Sequence, residues 1–263
     1  MKKILSLLLV IAMMVTLAVT VSAEETTAYD LYVAGVQVTS DNLNDVLGDG
    51  TVSFDPTTNT LTLNGANIST DENGIEADMD VTIVLNGTNT IKSDCQPIFG
   101  KKNVTVNGSG SLDAETTGDG PWDCIYSKGN LTVNGGTVTL KGNLSGIWSD
   151  GSLTINGGIV NVKGGGPGIV SYGNLTINGG TVTAEGEDGD GIYSDLDTTI
   201  NGGTVTAIGA KEDGCGIWSE GNFTINGGIV IATATENPGF YRVPVLTDYN
   251  GDYNVYISND ASA

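Results

Sequence analysis

Four aromatic residues, Tyr126, Trp148, Tyr193 and Trp218, each follow an isoleucine in a recurring Ile-x-Ser tripeptide. Two other members of the same column are Glu76 and Phe99, and the remaining one is Val170. Neighbouring residues of a strand face opposite ways, and an unpaired Glu76 would not be placed inside, so the column is expected to face outward. Outward indole and phenol rings along a flat sheet suit the apolar faces and hydroxyls of sugars, and exposed apolar patches mark binding sites. The competing reading is a protruding loop that covers the rings as a second small core.

Carboxylates follow these rings at Asp150, Asp195, Asp197 and Glu220. Hard cations take several oxygen ligands, which makes these four the candidate calcium ligands; the plainer reading is solubility. Further carboxylates gather before the Ile strands at Glu115, Asp119, Asp123, Glu185, Glu187, Asp188, Asp190, Glu212 and Asp213. Paired carboxylates among Asp150, Asp195 and Asp197 would permit glycoside hydrolysis at a separation of about 5 to 9.5 Å, but nothing singles out a pair. The chain has no histidine, which excludes His-based triads and His-ligated metals. No phosphate-cradling loop opens a helix.

The elements that must position these side chains are legible in a repeat. Asn-Gly followed by a small residue recurs at Asn64, Asn86, Asn107, Asn134, Asn156, Asn178, Asn201 and Asn226, at intervals of 22, 21, 27, 22, 22, 23 and 25 residues. Such a period marks a solenoid whose units bury their apolar faces only against each other. Within a unit, Leu153 and Ile155 flank Thr154, and Val182 and Ala184 alternate with Thr181 and Thr183, the period of two of half-buried strands. Helical periodicity is absent. These features predict an all-β, right-handed parallel β-helix with three short strands per rung. Ile75, Ile98, Ile125, Ile147, Ile169, Ile192 and Ile217 form the expected inward stack. The asparagines are expected to hydrogen-bond one another along the rod, with glycine relieving the corner. Ser127, Ser149, Ser171, Ser194 and Ser219 read as stacked small hydroxyls.

Met1 to Ala23 has Lys2 and Lys3, an apolar run and a Val-Ser-Ala end, the pattern of a secretory signal peptide. Residues 24–70 are the expected N-terminal cap and first rung: a strand over Tyr29–Val38, a helical turn over Asp41–Leu47 and a hairpin around Asp55-Pro56. Residues 71–239 are the expected helix proper. Residues 240–263, with Arg242 and a strand at Tyr253–Tyr256, are the expected second cap, holding one degenerate rung.

The chain carries 31 acidic and 10 basic residues, a formal charge of −21, or −23 once residues 1–23 are removed. This balance argues against nucleic acid as a partner. Of three cysteines, Cys95 and Cys124 precede isoleucines of consecutive rungs and a bridge between them is feasible. Cys215 lies four rungs, about 19 Å, beyond and is expected to be unpaired.

The runs Leu31-Tyr-Val-Ala-Gly-Val-Gln-Val-Thr, Leu47-Gly-Asp-Gly-Thr-Val-Ser-Phe-Asp-Pro and Asn59-Thr-Leu-Thr-Leu-Asn-Gly-Ala, with repeated Gly-Ile-x-Ser and Leu-Thr-Ile-Asn-Gly-Gly, look like secreted proteins of anaerobic Firmicutes. The chain resembles the clostridial β-helix carbohydrate-binding family related to pectate lyases. That resemblance implies non-catalytic binding of plant polysaccharide, acidic pectic chains included, with calcium bridging carboxylates. Lyase activity would need a lysine or arginine base on an acidic groove, and none is evident. The expectation is a secreted monomer that binds polysaccharide, with no membrane association after signal removal and with room for a cell-surface role. The alternatives are a structural or adhesive surface rod and a polysaccharide lyase.

Overall fold

A computed structural model describes residues 25–210 and 214–234, together with the backbone of 245–246 and 253–258. The signal sequence, Arg242, Glu212 and Asp213 lie outside the described residues. The described chain is all β and winds as a parallel solenoid of three sheets. The first sheet stacks seven parallel strands, Ile75–Ala77, Ile98–Gly100, Ile125–Ser127, Ile147–Ser149, Ile169–Ser171, Ile192–Ser194 and Ile217–Ser219. The second is built on Leu-Thr-Ile strands such as Leu153–Ile155, and the third on longer strands such as Thr181–Gly186.

Register follows from composition. Each rung places isoleucine on isoleucine through the whole first sheet, from Ile75 to Ile217. All seven are essentially inaccessible to water, as are Leu153, Ile155, Val182 and Ala184. A one-residue slip would turn every such side chain outward, so the hydrophobic pattern itself holds the strands in line. Burying one large aliphatic side chain contributes about 1.5–3 kcal/mol, repeated at every rung.

The corners use two devices. Asn134, Asn156, Asn178, Asn201 and Asn226 each donate Nδ2–H to the Oδ1 of the asparagine one rung before, at 2.6–2.7 Å. The ladder starts at Asn107. Asn64 pairs with Asn86, but Asn107 lies opposite Val84, two residues before Asn86, so the 21-residue interval takes Asn86 out of the stack. Left-handed backbone falls on the second glycine of each Asn-Gly-Gly, with φ of 82° at Gly136, 89° at Gly158 and 87° at Gly180. A Cβ on Gly158 would sit 2.6 Å from the carbonyl oxygen of Gly136, so the site demands glycine on both counts. Replacing Asn156 by alanine removes two ladder bonds and is expected to cost about 1–2 kcal/mol in urea denaturation; a loss under about 0.3 kcal/mol would show that the ladder contributes little.

The serine column points inward. Ser127, Ser149, Ser171, Ser194 and Ser219 are fully buried and donate to a carbonyl of the preceding rung's turn, Ser149 Oγ to Gly129 O at 3.0 Å among them. They satisfy backbone acceptors of the first corner and do not bond one another.

At the N-terminal end, Ala28–Val33 and Val36–Thr39 form an antiparallel hairpin, with Ala34 and Gly35 at φ of 49° and 74°. The single strand expected over Tyr29–Val38 is thus broken by a tight turn that alternation of polarity does not reveal. The expected helical turn at Asp41–Leu47 is instead made of turns and bends. The hairpin Val52–Asp55 with Thr60–Asn64 is present, and its second strand runs parallel to Val81–Asn86. At the far end, Val245–Leu246 and Tyr253–Ser258 add parallel strands to the second and third sheets. The three cysteines are free. Cys95 precedes its isoleucine by three residues and Cys124 by one, and their sulfurs turn to different carbonyls, of Asp71 and Ala114. That offset defeats the feasible bridge.

Candidate functional site

Seven rungs present the outer face of the first sheet as two parallel columns, because residues two apart in a strand share a face. Read as pairs from the N-terminal end they are Glu76 and Asp78, Phe99 and Lys101, Tyr126 and Lys128, Trp148 and Asp150, Val170 and Tyr172, Tyr193 and Asp195, Trp218 and Glu220. Tyr126, Trp148, Tyr193 and Trp218 are half-buried, facing outward as expected. Val170 interrupts their column and is itself buried.

Tyr172 closes that gap. It sits two residues beyond Val170, is 42 % exposed, and its ring lies 5.1 Å from Trp148 and 6.5 Å from Tyr193, nearly perpendicular to both. Tyr193 in turn is 6.5 Å from Trp218, and Phe99 stacks on Tyr126 at 5.5 Å. The rings therefore form a stripe along the rod over six rungs. Sequence reasoning missed Tyr172 because it followed one column; the usable signal was a valine in an aromatic column with a tyrosine one side chain further along the same face.

The carboxylates of the second column hold the rings. Trp148 Nε1–H donates to Asp150 Oδ1 at 2.9 Å, and Tyr126 Oη–H reaches across one rung to Asp150 Oδ2 at 2.9 Å. Tyr193 Oη donates to Asp195 Oδ1 at 3.1 Å and Trp218 Nε1 to Glu220 Oε1 at 2.8 Å. Burial, reinforced by these carboxylates, pushes the phenols of Tyr126 and Tyr193 up to about 12. Phe99 has no polar atom to donate. Lysines attend it instead, with Nζ of Lys128 and Lys101 at 5.5 and 5.9 Å from the ring centre.

Asp197 stands apart from this set. Its Oδ1 accepts the backbone N–H and side-chain Nδ2–H of Asn222, and its own N–H donates to Asn174 Oδ1, in a second corner ladder that includes Asn103, Asn130 and Ser152. The four carboxylates proposed from sequence as calcium ligands thus divide into three ring partners and one corner residue. Among the described residues, no group of three or more Asp, Glu, His or Cys is gathered as a metal site would need.

The acidic loops before the Ile strands have structural partners. Asp123 Oδ1 accepts the N–H of Ser145, and Asp190 Oδ1 that of Cys215, in each case one rung on. Burial pushes both carboxyls up to about 6. On the third sheet, Lys141 pairs with Glu115 at 2.8 Å, and Lys163 with Glu185 and Glu187 at 3.0 and 2.9 Å. Glu115, Lys141, Lys163 and Glu187, with the insertion of the 27-residue interval, Thr117 to Pro121, line a polar cleft of about 740 Å³. It lies on the third-sheet side of the corner, away from the strands that carry the aromatic stripe.

A family model described as "Carbohydrate-binding domain-containing protein" matches residues 113–239, just under half of the chain. The matched segment contains the stripe from Tyr126 to Trp218 and supports a carbohydrate-binding role. No curated protein and no solved structure matches the chain.

Proposed function

We propose that this is a secreted, non-catalytic protein that binds polysaccharide along the aromatic stripe of its first sheet. The observation that carries the reading is the continuity of the stripe: Tyr126, Trp148, Tyr172, Tyr193 and Trp218 occupy five consecutive rungs on one open face. Rungs repeat about every 4.7–4.9 Å, a step comparable with the length of a pyranose unit, so an extended glycan lying along the rod meets a ring at each sugar. The rings supply apolar faces, and the flanking carboxylates and phenols supply acceptors and donors for hydroxyls. Secretion rests on the signal pattern of Met1–Ala23. Calcium enters as an accessory that bridges outward carboxylates to an acidic glycan.

The test is retention of residues 24–263 on a panel of neutral and acidic plant polysaccharides, with calcium and then with chelator. Retention that survives chelator assigns the contact to the rings. Retention on polygalacturonate lost with chelator assigns the carboxylates a bridging role. Absence of binding under both conditions replaces the reading with a structural or adhesive rod, and release of unsaturated products from pectate would make the protein a lyase.

A further inference from the structure

We propose that Asp150, Asp195 and Glu220 are positioning residues of the glycan-binding stripe, each fixing the orientation of aromatic rings by accepting their indole N–H or phenol O–H. This rests on the polysaccharide reading for its consequence, though not for its geometry. The same device occurs three times with one spacing: a donor ring at the second position of the strand, and a carboxylate two residues later on the same face.

The exceptions follow the same chemistry. Where the ring is Phe99, with nothing to donate, the residue two later is Lys101, a cation near its π system. Where the first position is Val170, with no ring to hold, the residue two later is itself aromatic, Tyr172. Where Tyr126 is followed by Lys128, the phenol turns to the next rung and shares Asp150 with Trp148. From Phe99 to Trp218 the second column thus complements the first; in the rung before them Glu76 and Asp78 are both carboxylates, and Lys101 Nζ bridges the two at 3.0 and 2.7 Å. A cluster of carboxylates retained only for solubility would show no such matching.

An outward ring on a strand has several rotamer wells open to it. Ordering it upon binding reduces affinity, and a hydrogen bond made beforehand removes part of that cost. Asp150 holds two rings from two rungs, Tyr126 and Trp148, so its loss is expected to exceed that of Asp195 or Glu220, which hold one each.

The experiment uses residues 24–263 with Asp150→Ala, Asp195→Ala, Glu220→Ala and the conservative Asp150→Asn and Glu220→Gln. Binding is titrated against soluble xyloglucan and polygalacturonate, and the indole N–H resonances of Trp148 and Trp218 are followed by nitrogen-15 NMR without ligand. The expected result is a weakening of about tenfold for Asp150→Ala and about threefold for each of the other alanine variants, at unchanged melting temperature. Asp150→Ala shifts the Trp148 indole N–H and speeds its solvent exchange, Glu220→Ala does the same for Trp218, and the amide variants, which keep one acceptor oxygen, restore most of both. Wild-type affinity in all three alanine variants, with unmoved indole resonances, would overturn the proposal. If the wild-type protein binds neither polysaccharide, the polysaccharide reading fails for these probes, while the indole resonances still decide whether the carboxylates hold the rings.

Discussion

Changing Trp148 and Trp218 together to alanine is expected to lower polysaccharide affinity by more than about 100-fold. Both rings stand on the outer face of the first sheet, half-buried against neighbouring rings and not part of the isoleucine core. A large side chain taken fully from water contributes about 1.5–3 kcal/mol, and a half-buried ring keeps a substantial part of its surface for a ligand to cover. Loss of the hydrogen bonds to Asp150 and Glu220 also lets the adjacent rings and carboxylates relax. Together the two truncations should remove about 3 kcal/mol, and each 1.4 kcal/mol or so is tenfold. They lie three rungs apart, about 14 Å, too far to share a partner, so their effects should add. Affinity electrophoresis in soluble glycan gives the readout, and a melting temperature within a few degrees of wild type shows that the core is intact. Binding within about threefold of wild type would move the site off this face, with the cleft beside Lys141 and Lys163 as the next surface to alter.

Acidification from about pH 7.5 to about 5 should stabilise the fold. Asp123 and Asp190 both have carboxyls raised by burial from 3.8 to about 6. A carboxyl raised in the folded state contributes stability that is fully present below the unfolded pKa and is lost as pH rises through the folded value, here between 3.8 and about 6. A tenfold change in proton affinity is worth about 1.4 kcal/mol, so the two sites together contribute on the order of a few kcal/mol across the tested range. The net charge of −21 acts in the same direction, since protonation relieves repulsion along the rod. Glu115 opposes it: held below its usual range by Lys141, it loses its stabilising charge only at lower pH. Denaturation at the two ends of that pH range measures the difference. Asp123→Asn with Asp190→Asn keeps an oxygen acceptor for the N–H of Ser145 and of Cys215, removes the buried charge, and should raise stability at neutral pH while flattening the profile. Stability that rises with pH across the range, or a double variant with the wild-type slope, would contradict this account.

Period and polarity are enough to specify the solenoid. An inward stack of isoleucine at the same place in seven rungs, alternation in Leu-Thr-Ile and Thr-Val-Thr, and glycine after asparagine are local statements, and a solenoid is built from local units that meet only their neighbours. The outward placement of Tyr126, Trp148, Tyr193 and Trp218 was legible for the same reason, since strand geometry assigns faces residue by residue. Tyr172 was not, because its role depends on the gap that Val170 leaves between two other rungs. Nor was the break of the asparagine ladder at Asn86, which turns on a two-residue offset in the pairing of Asn107 with Val84.

The amino-acid sequence by itself determined which side chains face in and which face out, because a period of two and a repeat of about 22 residues leave only one way to bury the aliphatic set. The tertiary structure decided what the outward groups do to one another. Asp150 bonding Tyr126 from the rung before, Asp197 closing a corner on Asn222, and Lys141 neutralising Glu115 are contacts between residues 24, 25 and 26 positions apart, set by how one rung lies on the next.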